Sequence, residues 1–291
     1  MSPSFSPTDL HAENVGRLRP EDVVIASYPG SGAALIGNVL LSLGLAYVDP
    51  YTEVVDDHGG GPVPERVDYR ARLAATHAAD TSEDRSAVAA RRLVKTHRHP
   101  DEFPARPEQI VALVRDPRDA VHSYYRWRLG FSEESESGSF EEFLERRDID
   151  GERPADAWAS FCERWRRASG EAGAADGYLE IRFERLKSDP VAEVERLLAF
   201  IGAQASRDEV QAAVDASSFD RMREHEARVA GGAGSGAMIM RRGRVDEWTE
   251  WFGPPLWETF RTERVRRVAA VLGYDLSIPV DQSGPPMAGS R

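Results

Sequence analysis

The sequence predicts a single α/β domain with a central, mainly parallel β-sheet flanked by helices. Two apolar runs rich in β-branched residues, Val23–Ser27 and Ile110–Val114, are too short for helices and are typical of strands buried on both faces. Each run leads through a turn or a cap into a segment with helical periodicity. A chain of 291 residues is long enough for one large domain or two small ones, and we favour one.

The ends of the chain set the expected domain bounds. We expect a flexible tail over residues 1–20, one domain over 21–276 and a second flexible tail over 277–291.

The first twenty residues lack the basic start and apolar segment of a secretory signal, and no apolar run is long enough to span a bilayer. The single cysteine, Cys162, excludes an internal disulfide and lies on an apolar stripe typical of the core. These features predict a cytoplasmic protein.

Charge narrows the class of partner. A net charge of -12 argues against nucleic-acid binding, and a local cluster of cations is more informative against this acidic background. We therefore predict a small-molecule partner, with no nucleic acid and no membrane, and the oligomeric state stays open. Of the 37 basic residues, only Lys95 and Lys187 are lysines, so a lysine is an unusual choice in this chain.

The first strand leads into a P-loop-like strand–turn–helix. The turn Tyr28–Gly32 connects it to an expected helix over Ala33–Leu43, an arrangement that points backbone N–H groups at a phosphate. The turn lacks the Gly-Lys-Ser/Thr ending of a Walker loop, and Leu35 stands where a dinucleotide fingerprint has its third glycine. A plain tight turn is the alternative.

The segment from residue 47 to residue 91 is acidic and interrupted by glycine and proline, with no strong period. We expect a mobile excursion with short helices, which would shape a substrate pocket. His58 and His77 within it are expected to face solvent, because neither has a partner at metal-ligand spacing.

A second short strand is predicted over Arg92–Thr96. Lys95 and His97 are two residues apart, so they project to the same face of a strand. A cation and an imidazole side by side at a strand's carboxyl end suit a leaving-group stabiliser and a general base. An exposed polar strand end is the alternative.

The third strand, Ile110–Val114, ends at Arg115. Asp116 and Pro117 form a helix start, and Ser123 lies about two turns into that helix. This edge of an open α/β sheet is where anionic ligands bind. The alternative is that Arg115 only pairs with Asp116 or Asp119.

The rest of the chain alternates between helices and one strand. Residues 131–156 look peripheral, despite a short amphipathic piece from Phe140 to Leu144. Further elements follow, with a helix over 158–168, a strand over 177–183, a helix from Asp189-Pro190 to Ile201, a capping box at Ser206 and Glu209, and a helix over 254–272.

A glycine-rich stretch, residues 229–236, precedes three cations around a glycine: Arg241, Arg242, Gly243 and Arg244. Such a loop could order over an anion as a lid, or it could be a solvated charged face.

These segments, between Val23 and Trp251, resemble the sulfotransferases that use 3′-phosphoadenosine 5′-phosphosulfate (PAPS). That family reads Tyr-Pro-Lys-Ser-Gly-Thr-Thr-Trp at the first turn, where this chain has residues 28–35. The Lys-Thr-His triplet of the family, which carries the catalytic base, is intact at 95–97. Further segments of this chain resemble the family's remaining nucleotide-binding positions. Their matching residues are Arg115, Ser123, Phe183, Ser218, Phe219, Met222, Arg241, Arg242 and Gly243.

The departures from the family pattern cluster at the 5′-phosphosulfate turn. Gly30 replaces a lysine, Ala33 and Ala34 replace two hydroxyl donors, Leu35 replaces a tryptophan, and Phe183 replaces a tyrosine. Backbone N–H groups survive any substitution, so Gly30, Ser31, Gly32, Ala33 and Ala34 can still form an anion site. On this basis we expect Gly30→Lys to raise turnover.

The resemblance implies transfer of a sulfuryl group from PAPS to a hydroxyl, or an amine, of a small molecule, with PAP (3′,5′-bisphosphoadenosine) as product and no metal. His97 is expected to be the base, with Lys95 as the stabilising cation. The alternative is a related fold that binds a nucleotide or metabolite without sulfuryl transfer, or performs other chemistry. A P-loop kinase is disfavoured by the missing Gly-Lys-Ser/Thr.

Overall fold

A computed structural model describes residues 18–19, 21–49, 53–54, 61–62, 92–104, 106–131, 138–147, 149–170, 177–230, 243–250 and 252–277. Within these residues the strands are β1 (Val23–Ser27), β2 (Tyr47–Val48), β3 (Glu53–Val54), β4 (Gly61–Pro62), β5 (Leu93–Thr96), β6 (Gln109–Val114) and β7 (Tyr178–Arg182). Five of them form a parallel sheet in the order β2–β5–β1–β6–β7, and β3 pairs antiparallel with β4. The α/β class is confirmed.

Strand β1 is at the centre of the sheet. From β1 the chain runs to β2 and β5 on one side, whereas β6 and β7 lie on the other side. The strand order therefore reverses between β1 and β6, and ligands of open α/β sheets bind outside the carboxyl ends at such a point. This topology directs attention to the residues that follow β1, β5 and β6.

Helices cover both faces of the sheet. They are α1 (Ala33–Ser42), α2 (Pro117–Phe131), α3 (Phe140–Glu145), α4 (Pro154–Gly170), α5 (Phe183–Ser188), α6 (Pro190–Ile201), α7 (Arg207–Ala216), α8 (Phe219–Ala230), α9 (Pro254–Trp257) and α10 (Glu263–Val271). Side chains of β1 alternate between two cores: Val23 and Ile25 pack with α1, α6 and α7, while Val24 and Ala26 pack with α2, α4 and α10. None of the helices described is long and apolar enough to cross a membrane.

Local sequence signals place most helix ends correctly. The Asp189 side chain accepts from the Ala192 N–H, and α6 ends at Gly202 with φ 73°. Ser206 and Glu209 form the expected capping box. Helix α2 begins at Pro117, and the buried Cys162 on α4 confirms a core thiol.

Two predictions are wrong, namely that residues 131–156 are peripheral and that one helix spans residues 254–272. Phe140, Phe143 and Leu144 on α3 are buried in the core that contains α2 and α4, so this part of residues 131–156 is not peripheral. The predicted helix over 254–272 is broken, because the Thr262 side chain accepts from the Val265 N–H and starts α10 anew after a 3₁₀ turn.

The acidic segment from residue 47 begins differently from our prediction. Tyr47 and Val48 form an edge strand of the main sheet rather than part of a mobile excursion, and Glu53–Val54 pairs with Gly61–Pro62. Apart from Asp49, the rest of this segment lies outside the described residues, as do His58, His77, most of both tails and residues 231–242.

The burial of α3 gives a first prediction. The Leu144 side chain is fully buried, so Leu144→Ala should lower the free energy of unfolding by about 2–5 kcal/mol. Denaturant unfolding measures this loss, with Glu141→Ala, an exposed position on the same helix, as the control at less than ~1 kcal/mol. Equal losses for the two variants would contradict the core position of α3.

Candidate active site

Five strand ends bring the candidate residues to one edge of the sheet. The parallel register pairs Val48 with Val94, Ala26 with Thr96, and Val114 with Arg182. The residues that follow these strands therefore emerge side by side. They are Asp49 after β2, His97 after β5, the turn Tyr28–Gly32 after β1, Arg115 after β6 and Phe183 after β7.

The buried His97 ring is bonded to the end of β1. Its Nδ1 lies 2.6 Å from the Ser27 carbonyl oxygen and 3.3 Å from Ser27 Oγ. A carbonyl oxygen only accepts hydrogen bonds, so Nδ1 carries the proton and donates it. This bond fixes the tautomer, and the lone pair of the neutral ring is on Nε2.

The environment keeps His97 neutral. The pKa of His97 is lowered from 6.5 to about 3, chiefly by burial and then by the Lys95 cation, while the Ser27 carbonyl and the Asp49 carboxylate oppose the shift. A neutral imidazole with Nε2 unprotonated is the state that accepts a proton. The chemistry available here is general-base catalysis.

Lys95 forms a buried ion pair with a residue that the sequence analysis missed. Its Nζ donates to Asp49 Oδ2 at 3.0 Å, and the two side chains are 7% and 6% exposed. The alternative of an exposed polar strand end is therefore wrong for Lys95 and His97. Asp49 escaped notice because β2 is two residues long and lies in a segment without periodicity.

The turn after β1 depends on its glycines. Gly30 and Gly32 have φ of +86° and +100°, a region that side chains rarely adopt. A Cβ on Gly32 would lie 2.6 Å from Phe183 Cδ2, and one on Gly30 would lie 2.5 Å from the Ala120 carbonyl oxygen and 3.0 Å from Ser123 Cβ. Helix α2, with Ser123, and the Phe183 ring therefore pack directly on this turn.

Arg115 joins three parts of the site. Its Nη1 donates to the Gly30 carbonyl oxygen at 3.0 Å, its Nη2 donates to the Arg244 carbonyl oxygen at 2.9 Å, and its guanidinium lies 4.2 Å from the centre of the Phe183 ring. It also pairs with Asp119 at 3.5 Å, so part of the alternative interpretation holds. Asp116 pairs instead with Arg118.

Asp119 forms a hydrogen bond to the segment that follows the cationic loop, by which we mean residues 241–244. Its Oδ1 accepts from the Trp248 N–H at 2.9 Å, which ties α2 to the 3₁₀ turn Glu247–Glu250. Burial raises the pKa of Asp119 to about 6, against the opposing effect of Arg115. Arg241 and Arg242 lie outside the described residues, and Gly243 is the first described residue after them.

Two buried polar atoms fit an anionic ligand at this edge. Within the described part of the chain, neither Ser31 Oγ nor Arg115 Nε has a hydrogen-bond partner. Buried donors without partners are costly unless something else satisfies them. A hydroxyl and a guanidinium N–H at a glycine turn are donors that suit a phosphate.

A second aromatic ring and a second lysine accompany Arg115. The Phe219 ring packs on Gly243, where a Cβ would lie 2.5 Å from Phe219 Cδ2, and Lys187 Nζ lies 5.9 Å from the centre of that ring. Burial and the Arg115 cation lower the pKa of Lys187. Sequence analysis did not select Lys187, although the rarity of lysine in the chain marked it.

The other predicted residues have mixed surroundings. The side chain of Met222 is buried, and its sulfur accepts from Asn38 Nδ2 at 3.1 Å, which joins α8 to α1. Ala33 is buried, whereas Ala34 and Ser218 are half-buried.

Comparison with known proteins places the chain in a family. The sulfotransferase domain family matches residues 20–270. The chain belongs to the sulfotransferase family. One relative, sulfotransferase 1E1 of Bos taurus, is 27% identical over 252 residues, which cover 83% of this chain and 81% of the relative.

Two solved structures share the fold. Mouse sulfotransferase SULT7A1, complexed with PAP, superimposes with a TM-score of 0.59 at 20% identity, covering 92% of this chain and 94% of that one. Retinol dehydratase in a complex with retinol and PAP gives a TM-score of 0.60 at 19% identity, covering 95% and 89%. The family match and the named relatives identify the chain as a PAPS-dependent sulfotransferase.

The geometry of the turn after β1 contradicts one expectation from the sequence. Gly30→Lys was expected to raise turnover, but the positive φ of Gly30 and the 2.5 Å approach to the Ala120 carbonyl oxygen leave no room for a side chain. The variant should strain the turn instead. The structural reason was invisible in the sequence, because it depends on how α2 packs against β1.

Gly32 gives a matched test of this packing. Gly32→Ala should cost about 3 kcal/mol of unfolding free energy or more, because backbone strain adds to the collision with Phe183. Gly44→Ala is the control, since Gly44 also has a positive φ of 72° but nothing within 4 Å of its Cβ position, and it should cost ~1–2 kcal/mol. Denaturant unfolding compares the two, and equal costs would show that Phe183 does not pack on the turn.

Proposed function

We propose that this sulfotransferase moves a sulfuryl group from PAPS to a hydroxyl, or an amine, of a small-molecule acceptor, with His97 as the general base. One observation carries the proposal: a buried, neutral imidazole whose Nδ1 is held by the Ser27 carbonyl oxygen at 2.6 Å. Its Nε2 is then the proton-accepting atom. Lys95 lies two residues away at the same strand end, as the Lys-Thr-His motif implies.

The proposed nucleotide site extends from the turn after β1 to Gly243. The Ser31 hydroxyl and the turn's backbone N–H groups would bind the 5′-phosphate, which the buried, partnerless Ser31 Oγ supports. Arg115 would bind the 3′-phosphate, which its buried, partnerless Nε supports. The complexes of two related folds with PAP agree with it. The residues proposed to bind the nucleotide are Gly30, Ser31, Gly32, Ala33, Ala34, Arg115, Ser123, Phe183, Ser218, Phe219, Met222, Arg241, Arg242 and Gly243.

Proton and charge movements follow from these positions. His97 Nε2 accepts the acceptor's proton while the acceptor oxygen, or nitrogen, forms its bond to sulfur. The bridging bond between sulfur and the phosphate oxygen breaks, and its electron pair leaves on that oxygen. The Lys95 ammonium and the turn's N–H groups stabilise the negative charge that develops there. No step needs a metal, and the absence of one stays a prediction.

Lys95 takes on a larger share of this task than usual. The family's turn lysine is missing at Gly30, and losing one donor to a developing oxyanion typically costs ~10²–10³ in rate. A buried cation at the adjacent strand end is placed to compensate for part of that loss. We also propose that the enzyme works in the cytoplasm on a small molecule and binds neither nucleic acid nor a membrane.

Loss of the base gives the decisive test. His97→Ala should lower formation of sulfated product by about 10²-fold or more, while PAP still raises the melting temperature. Mass spectrometry after incubation with PAPS and a panel of phenols, alcohols and amines detects the product. His122→Ala, on α2, is the control and should retain activity.

Two outcomes would count against the proposal. Normal turnover in His97→Ala would remove the base assignment. A wild type that is stabilised by PAP but sulfates no acceptor would favour nucleotide binding without transfer.

The depressed pKa of His97 predicts an unusual pH profile. A base with a pKa of 6.5 would be half protonated, and kcat/KM half-maximal, at pH 6.5, whereas a base near 3 stays neutral well below that pH. We therefore expect kcat/KM for the acceptor to show no His97-dependent fall between pH 7.5 and 5.5. An acid limb centred near pH 6.5, lost in His97→Gln, would contradict the buried environment.

A further inference from the structure

We infer that Asp49 is a positioning residue of the sulfuryl-transfer reaction, which holds the Lys95 ammonium beside His97. The inference rests on the proposed function. It begins from the ion pair between Lys95 Nζ and Asp49 Oδ2 at 3.0 Å, in which both side chains are buried.

The sheet itself sets the geometry of this pair. Val48 on β2 is in register with Val94 on β5, so Asp49 and Lys95, one residue further along each strand, emerge as neighbours. Adjacent strands are about 4.8 Å apart, which brings the two side chains within bonding reach. Lysine has a flexible four-carbon stem, and a partner on a rigid element selects one direction for its ammonium group.

Because Lys95 and Asp49 are both buried, their ion pair matters energetically. A buried ammonium without a partner is strongly disfavoured, whereas a carboxylate at 3.0 Å offsets the cost of burying its charge. An ammonium group has three N–H donors, so one bond to Asp49 is compatible with a second bond to an anion. Asp49 therefore stabilises the buried ammonium at the position where negative charge develops in the proposed reaction.

The same pair moderates the electrostatics at the base. The Lys95 cation lowers the pKa of His97, and the Asp49 carboxylate raises it. The ammonium can thus stay close to His97 without depressing its basicity by the full effect of an uncompensated cation. Removing Asp49 would leave the effect of the Lys95 cation on His97 without this compensation.

A double-mutant cycle tests this role through its mechanism. Asp49→Asn should lower kcat by about tenfold to hundredfold, somewhat less than the ~10²–10³ expected when a transition-state donor is lost outright. Its effect on KM for PAPS should be smaller. In a Lys95→Met background the same Asp49→Asn change should alter kcat by less than about twofold, because residues that act as a unit are not additive. Asp49→Glu, which keeps a carboxylate, should restore part of the activity.

The two lysines allow a spectroscopic check of folding and contact. With ¹⁵N-labelled lysine, the spectrum contains one ammonium signal from Lys95 and one from Lys187, and Lys187→Arg assigns them. Asp49→Asn should shift or broaden the Lys95 signal and leave the Lys187 signal in place. A global loss of structure would move both.

Three results would overturn the inference. They are an unchanged kcat in Asp49→Asn, equal losses from Asp49→Asn with and without Lys95, and an unmoved Lys95 signal. If the wild type itself makes no sulfated product, the proposed function fails and this role fails with it, an outcome distinct from a productive wild type that ignores Asp49→Asn.

Discussion

The hydrogen bond from His97 Nδ1 to the Ser27 carbonyl oxygen is the constraint on which the site depends. It joins the end of β5 to the end of β1 at 2.6 Å, and it determines which ring nitrogen carries the proton. Ser27 is the last residue of β1, so the same backbone that holds the imidazole continues into the glycine turn. The base and the proposed 5′-phosphate site are therefore coupled through a rigid, buried strand.

Arg115 extends this constraint to the other half of the site. One guanidinium bonds the Gly30 carbonyl oxygen and the Arg244 carbonyl oxygen, and it also stacks over Phe183. The turn after β1, the start of α5 and the segment after the cationic loop are thus held by a single side chain. An arginine suits this task because its planar fork presents several donors in fixed directions.

Sequence patterns predicted the parts of the fold that local chemistry determines. Strands β1, β5 and β6, the helix start at Pro117 and the Lys95–His97 pair were all found this way, because each has its own apolar run or cap. Asp49 was missed, because its position depends on pairing between β2 and β5, which no local period reveals. The burial of α3 and the close approach of α2 to Gly30 likewise depend on contacts between distant segments. Hydrophobic periodicity in the sequence does not reveal such contacts.

The tight turn at Gly30 and the Lys95–Asp49 ion pair both bear on where a cation can lie in the site. A turn with φ of +86° at Gly30, packed against the Ala120 carbonyl oxygen, has no space for a cationic side chain. Under the proposed function a cation is still needed beside the departing phosphate, and the end of β5, a strand that pairs with β1, is one adjacent position. A buried ammonium there needs a carboxylate to offset the cost of burying its charge, and the register of β2 supplies Asp49 at that place.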